Sequence, residues 1–306
     1  MATCIPLVEG RNYTALTAAW PRLNVIGMSR TVVHKLRGRP TSDGAGVRMT
    51  RVIGTPALDH FDPFLLLDEF RSDDPDDYIA GFPDHPHRGF ETVTYMLAGH
   101  MQHGDNQGNS GNLGPGSVQW MTAGRGIVHS EMPQQQDGLM WGFQLWVNLP
   151  ATDKMTTPRY QDIQGDRIPE VDAAEGVRAR VIAGELAGIA GAVTDVATDP
   201  RYYDLRLDPG ASISIPLPEG HNAFIYPYVG DVDAGPESKR TNVERGELAL
   251  LSHGQSLELK AGMDAAQLIL VAGRPLNEPI ARYGPFVMNT REQIQQPFLD
   301  YQAGRL

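Results

Sequence analysis

The 306-residue chain contains a single cysteine, Cys4, so neither an internal disulfide nor a thiolate cluster can form. A lone thiol suits a reducing compartment, and any metal site must draw on nitrogen and oxygen donors. No stretch approaches the roughly 18 apolar residues of a membrane span. The N-terminus also lacks the charged start, apolar run and small-residue cleavage site of a secretory signal. The expectation is therefore a cytoplasmic protein without a membrane partner. Cationic charge is scarce: 26 Lys and Arg stand against 37 Asp and Glu, which leaves −4 over residues 1–150 and −7 over the remainder. Direct nucleic-acid binding requires concentrated Lys and Arg and is not expected. The one basic stretch, residues 11–51, carries only two aromatics, Tyr13 and Trp20, both near its start, and reads as a solvated face.

Glycine (33), proline (23) and histidine (9) are plentiful, while charged residues make up only 21%. Many turns and short elements follow, which favours an all-β fold. At about 150 residues per domain the length suggests two domains. We divide the chain into an extension (1–29), a first barrel (30–150) and a second barrel with a terminal helix (151–306). Strand-like runs occupy 31–36, 47–53, 64–70, 90–97, 117–121 and 142–147 in the first barrel. They resume in the second at 177–182, 202–207, 211–215, 223–229, 247–251, 256–259 and 266–271. The polar segment 151–164 reads as a linker or excursion. The tail after Asn289 reads as a helix covering a barrel face, with Thr290 as N-cap, Gln293 as capping-box partner and Pro297 interrupting or kinking it.

An internal repeat relates the halves. Tyr95, Gly99 and Gly116 recur, within one residue of spacing, as Tyr226, Gly230 and Gly246. Five of the nine histidines lie in residues 81–148. His85-Pro-His87 places two imidazoles at i and i+2, on one face of an extended strand. His129-Ser-Glu131 repeats that geometry with one imidazole and one carboxylate. Converging inside a barrel, these four residues would form an N3O metal site with open positions. Glu91 shares the parity of His85 and His87, and spacing alone does not choose between Glu91 and Glu131. His100 and His103 read as surface or supporting residues, Arg125 as a brace for its loop or a contact for an anionic substrate, and Trp120 and Trp146 as core aromatics bordering the cavity. The repeat alignment puts Pro216, Pro218, Leu259 and Ala261 at the matching positions of the second barrel, which is therefore expected to be metal-free.

The runs Asp62–Phe70, Gly81–Tyr95, Gln119–Pro133 and Gly142–Pro150 closely resemble the pirin family of bicupins, and a looser resemblance extends to Asn289–Ile294. The resemblance implies two tandem cupin (jelly-roll) β-barrels, with one non-haem iron, Fe(II), in the first and none in the second. It places the metal ligands at His85, His87, His129 and Glu131, which leaves Glu91 as a neighbour. Glu91 and Arg125 then become the candidates for residues supporting the ligands. Two functions are implied. One is a quercetin 2,3-dioxygenase-type oxygenase, acting with dioxygen on a flavonol or related small aromatic enol or phenol, with Glu131 accepting the substrate's hydroxyl proton. The other is a metal- or redox-dependent regulatory protein that binds a transcriptional or metabolic partner. Mn, Ni, Cu or Zn would also suit the donor set, because intrinsic affinity does not favour iron. The residues before Arg30 and Pro297 depart from the family pattern, and neither touches the site.

Overall fold

A computed structural model describes residues 28–306. Cys4 and residues 1–27 of the expected extension lie outside the described residues. Twelve strands precede residue 164: β1 (Val32–Arg37), β2 (Arg39–Asp43), β3 (Val47–Ile53), β4 (Phe64–Ser72), β5 (Phe82–His87), β6 (Phe90–Ala98), β7 (Met101–Asp105), β8 (Ser110–Leu113), β9 (Val118–Thr122), β10 (Ile127–Pro133), β11 (Met140–Asn148) and β12 (Arg159–Ile163). All but β1 form a seven-stranded sheet, β12-β9-β6-β11-β4-β3-β2, and a four-stranded sheet, β5-β10-β7-β8. The second half repeats this pair. Its four-stranded sheet runs Ser212–Pro216, Ser256–Ala261, Val232–Ala234, Thr241–Val243, which is the same order along the chain as β5-β10-β7-β8. The all-β, two-cupin architecture is thus present.

Two strands cross the 150/151 division. β1 pairs along Glu247–Leu251 in the second half's seven-stranded sheet. Arg30, just before it, is fully buried and donates to the carbonyls of Gly254, His221 and Pro218. In return β12, inside the segment expected to be a linker, pairs with β9 of the first half. Each half thereby supplies an edge strand to the other, which covers backbone groups that would otherwise be unpaired.

Period-2 alternation divides the first large sheet into two faces. Val93, Tyr95, Phe143 and Leu145 join Phe224, Tyr226 and Ile269 in one core between the halves. At its centre Asp204, wholly buried, accepts hydrogen bonds from the hydroxyls of Tyr95 (2.6 Å) and Tyr228 (2.5 Å). Burial pushes its carboxyl pKa up, and the two tyrosines oppose that rise. The opposite face, carrying Thr94, Gln144 and Trp146, looks into the first barrel toward the four-stranded sheet.

The sheet register corrects the repeat alignment of the second barrel. Glu131 lies opposite His103 and His129 opposite His85, whereas Leu259 lies opposite Ala234 and Leu257 opposite Ile215. Because Met101 and Val232 open matching strands six residues after Tyr95 and Tyr226, the ligand positions correspond to Ile215, Leu217, Leu257 and Leu259. The repeat alignment sets the first pair one residue too late, at Pro216 and Pro218, and the second pair two residues too late, at Leu259 and Ala261. Turns of unequal length between the strands shift the count by one or two residues. All four are buried aliphatic members of the second barrel's core and offer no donor atom.

Helix α1 (Arg291–Gln302) has the expected capping box from Thr290 and Gln293 but runs unbroken through Pro297. An internal proline costs a helix about 3 kcal/mol. Tertiary anchors offset this: Phe298 packs on Tyr283 and Phe286, and Asp300 pairs with Arg88. The helix covers the hairpin Ala281–Tyr283/Phe286–Met288, and that hairpin is bridged to the first barrel between Arg88 and Phe286. No helix among the described residues is long and apolar enough to cross a membrane.

Candidate metal centre

Proline at 83 and 86 holds Phe82–His87 extended, so the imidazoles of His85 and His87 project from one side of β5. Antiparallel pairing sets His129 of β10 directly across from His85. The three ring centroids are 4.4 Å (85–129), 4.7 Å (85–87) and 5.0 Å (87–129) apart. One nitrogen from each of the three rings lies within 4.8 Å of the others. His87 and His129 are buried, and burial together with the neighbouring imidazoles pushes both pKa values well below the usual histidine range. Both are therefore neutral at physiological pH, the form that donates to a metal.

Their hydrogen bonding fits the same role. Among the described residues His129 finds no partner for either ring nitrogen, and His87 finds none for Nδ1. A buried imidazole left unpaired costs about 1–3 kcal/mol, a cost that a coordinated ion removes. Nδ1 of His85 lies 2.8 Å from the carbonyl of Pro83, which places the proton there and leaves Nε2 as donor.

Glu131 follows two residues after His129 on the same buried face of β10. Its carboxylate accepts from the Thr94 hydroxyl at 2.7 Å, with the Gln144 amide at 3.4 Å. It stands outside the 4.8 Å group, so the structure brings together three of the four expected ligands and holds the fourth beside its own partners. Glu91 is excluded from the centre. β5 ends at His87 and β6 begins at Phe90, so the turn Arg88-Gly89 breaks the parity on which Glu91 depended. Its side chain instead shares the inter-barrel face and accepts from Thr122 at 2.7 Å. Arg125 is exposed and makes one long contact, 3.4 Å, to Thr157; it supports no ligand.

His103 is not a surface residue. It is buried across from Glu131, stacks on Tyr160 and lies 2.9 Å from the Asp162 carboxylate, whereas His100 is exposed. Tyr160 and Asp162 come from β12, the segment expected to be a linker. Trp146 borders the site as expected, edge-on to His87 at 5.2 Å. Trp120 belongs to the core between the halves. Thr94 and Gln144 went unrecognised because only the pairing of β6 with β11 aims them at Glu131.

The turn after His87 is held by Lys154. Its buried ammonium donates to the carbonyls of Gly89 (2.8 Å) and Val287 (3.2 Å) and to Asn148 Oδ1 (2.7 Å). Burial pushes its pKa down from 10.5 to about 8, against an opposing pull from Glu278. A base lowered on folding makes the unfolded chain bind more protons between the two values, so stability rises with pH across about 8 to 10.5. The full effect is about 3 kcal/mol. Urea titrations should show the stability of the wild type relative to Lys154→Met climbing by that amount over this window. A pH-independent difference would show that Lys154 titrates normally.

The Pirin family model matches residues 46–147, and the Pirin C-terminal cupin domain model matches residues 202–306. The chain belongs to the pirin family. This pirin is 52% identical over 281 residues to a Pseudomonas aeruginosa protein named "Putative quercetin 2,3-dioxygenase", covering 90% of this chain and 98% of the relative. It is 45% identical over 282 residues to human pirin, covering 92% and 95%. The crystal structure of a quercetin 2,3-dioxygenase from Acinetobacter baumannii superposes with a TM-score of 0.83 at 35% identity, covering 90% of this pirin and 98% of that chain.

Proposed function

We propose that the first barrel holds Fe(II) on His85, His87, His129 and Glu131, and that the protein is a quercetin 2,3-dioxygenase-type oxygenase acting on a flavonol or a related small enol or phenol. The observation that carries this reading is the convergence of three imidazoles, two of them buried and neutral, with both ring nitrogens of His129 left without a protein partner. The likeness to the Acinetobacter baumannii quercetin 2,3-dioxygenase supports it.

A metal bound there supplies Lewis acidity, lowering the pKa of a hydroxyl that coordinates it. The chain's own residues supply the rest. Glu131 is the acceptor for the released proton, and its carboxylate is steadied by Thr94. Trp146 and Phe90, in contact with His87 and with each other at 4.4 Å, form an apolar wall that orients an aromatic ring and limits water. His85 is the most accessible of the three ligands, so small molecules approach from its side.

Oxygen uptake by fully iron-loaded protein, measured with quercetin and a small flavonol panel, tests the proposal. Consumption of dioxygen with release of carbon monoxide is the expected result. Complete iron loading with no oxygen uptake on any flavonol would overturn it and direct attention to partner binding that differs between Fe(II) and Fe(III).

A further inference from the structure

Ladder pairing carries a row of polar side chains across the inward face of the first large sheet: Arg51, Asp68, Gln144, Thr94, Gln119 and Asp162. The row faces the metal centre, since Thr94 and Gln144 reach Glu131. In the second barrel, which lacks the ligands, the middle of the same row is Leu270, Ile225 and Ala249, buried and aliphatic. Burying polar groups costs free energy unless each finds a partner, so a polar row found only beside the ligands has a role there. Asp162 commits both of its oxygens: Oδ1 accepts from Gln119 Nε2 at 3.1 Å, and Oδ2 lies 2.9 Å from His103 Nε2. These contacts fix both neighbours. The Gln119 amide turns its nitrogen to Asp162 and its oxygen away. The neutral His103 ring, stacked on Tyr160, carries its proton on Nε2 and keeps a lone pair on Nδ1. Gln119 and His103 are each 1% exposed, and neither Gln119 Oε1 nor His103 Nδ1 has a partner among the described residues. Gln119 adjoins Thr94 along the row and His103 lies across the ladder from Glu131, so both bare acceptors belong to the Glu131 side of the centre.

We propose that Gln119 Oε1 and His103 Nδ1, held in place by Asp162, accept hydrogen bonding from a second hydroxyl of the ligand at the metal centre, and that they select ligands carrying one. This rests on the reading that the centre takes a flavonol or a related enol or phenol, whose first hydroxyl belongs to the metal. Two buried acceptors without a donor between them call for a donor. A bare ring edge in that place leaves both unpaired, and a site built to bond a hydroxyl discriminates against ligands that lack it. Asp162 is a positioning residue, because it acts through the two side chains it orients. It comes from β12, so the segment joining the two halves tunes the cavity of the first.

The probes are quercetin and 3-hydroxyflavone, which has the metal-binding hydroxyl and no other. Each is titrated anaerobically into the metal-loaded full chain at about pH 8, where a histidine of ordinary pKa is neutral, and binding is followed by the flavonol absorption band. The wild type should bind quercetin about 10-fold or more tighter than 3-hydroxyflavone. Asp162→Asn swaps one acceptor oxygen for an amide donor and releases the fixed orientation of Gln119 or His103. Gln119→Met removes one bare acceptor at similar volume. Each substitution should bring the ratio of the two affinities close to one. A ratio taken within one protein is unmoved by a general loss of stability or of metal, which a merely structural role would produce. Equal binding of the two flavonols by the wild type, or a preference that survives either substitution, would overturn the proposal alone. Binding of neither flavonol by the metal-loaded wild type would overturn it together with the reading on which it rests.

Discussion

Replacing His129 with alanine is expected to strip the first barrel of its metal and abolish oxygen uptake with quercetin. His129 lies across the ladder from His85, and its ring centroid is within 5.0 Å of both other imidazoles. Removing even a supporting partner of a ligand costs about 10–100-fold in metal affinity, so loss of the ligand itself should cost about 100-fold or more. The metal-free proteins should differ far less. The substitution leaves a small cavity but also removes a buried ring whose two nitrogens have no protein partner. Bound metal adds stability through its preference for the folded state. A chelator should therefore lower the unfolding midpoint of the wild type and leave that of His129→Ala unmoved. Metal content by elemental analysis, with and without chelator, checks the result. A variant that retains one equivalent of iron would remove His129 from the ligand set.

Gly89→Ala should be the most damaging small substitution in the first barrel. Gly89 sits at φ +88°, and a Cβ there would lie 1.9 Å from the backbone carbonyl oxygen of Val287. Neither side of that contact can yield easily. The Gly89 amide donates to Gly124, its carbonyl accepts from Lys154, and Val287 donates to Arg88. Gly108 is a built-in control, because at φ +87° it shares the backbone conformation but has nothing within 4 Å of its would-be Cβ. Gly108→Ala should cost about 1 kcal/mol, from the conformation alone. Gly89→Ala should cost about 4 kcal/mol or more, the range of severe backbone and packing defects. It should also loosen metal, since His87 lies two residues away on the same turn. Urea unfolding of both variants separates conformation from collision. Equal losses would mean that the return segment gives way and that the contact is soft.

Much of this could be read from local pattern. His85 and His87 at i and i+2 are bound to share a strand face, because the side-chain period of an extended chain is two. The same rule applied to His129 and Glu131 and held through a ladder irregularity between them. It failed for Glu91, where a two-residue turn intervenes and resets the parity. The helix start at Thr290 was legible because a capping box is a local hydrogen-bond exchange. The passage of α1 through Pro297 was not, because the forces that hold it come from Phe286 and Arg88, far away along the chain.

By itself, the sequence determined which donors are available, which of them share a strand face, and that two β-rich halves repeat. Only the tertiary structure decided which strand pairs with which. That choice sends β1 into the second half and β12 into the first, buries His103 against Tyr160 and Asp162, aims Thr94 and Gln144 at Glu131, and puts four aliphatic side chains where the second barrel would need ligands. The reason is physical. Strand alternation is written in neighbouring residues, whereas an antiparallel partner is selected by burial and hydrogen bonding summed over both faces of a sheet, between segments that in β1 and its partner lie about two hundred residues apart.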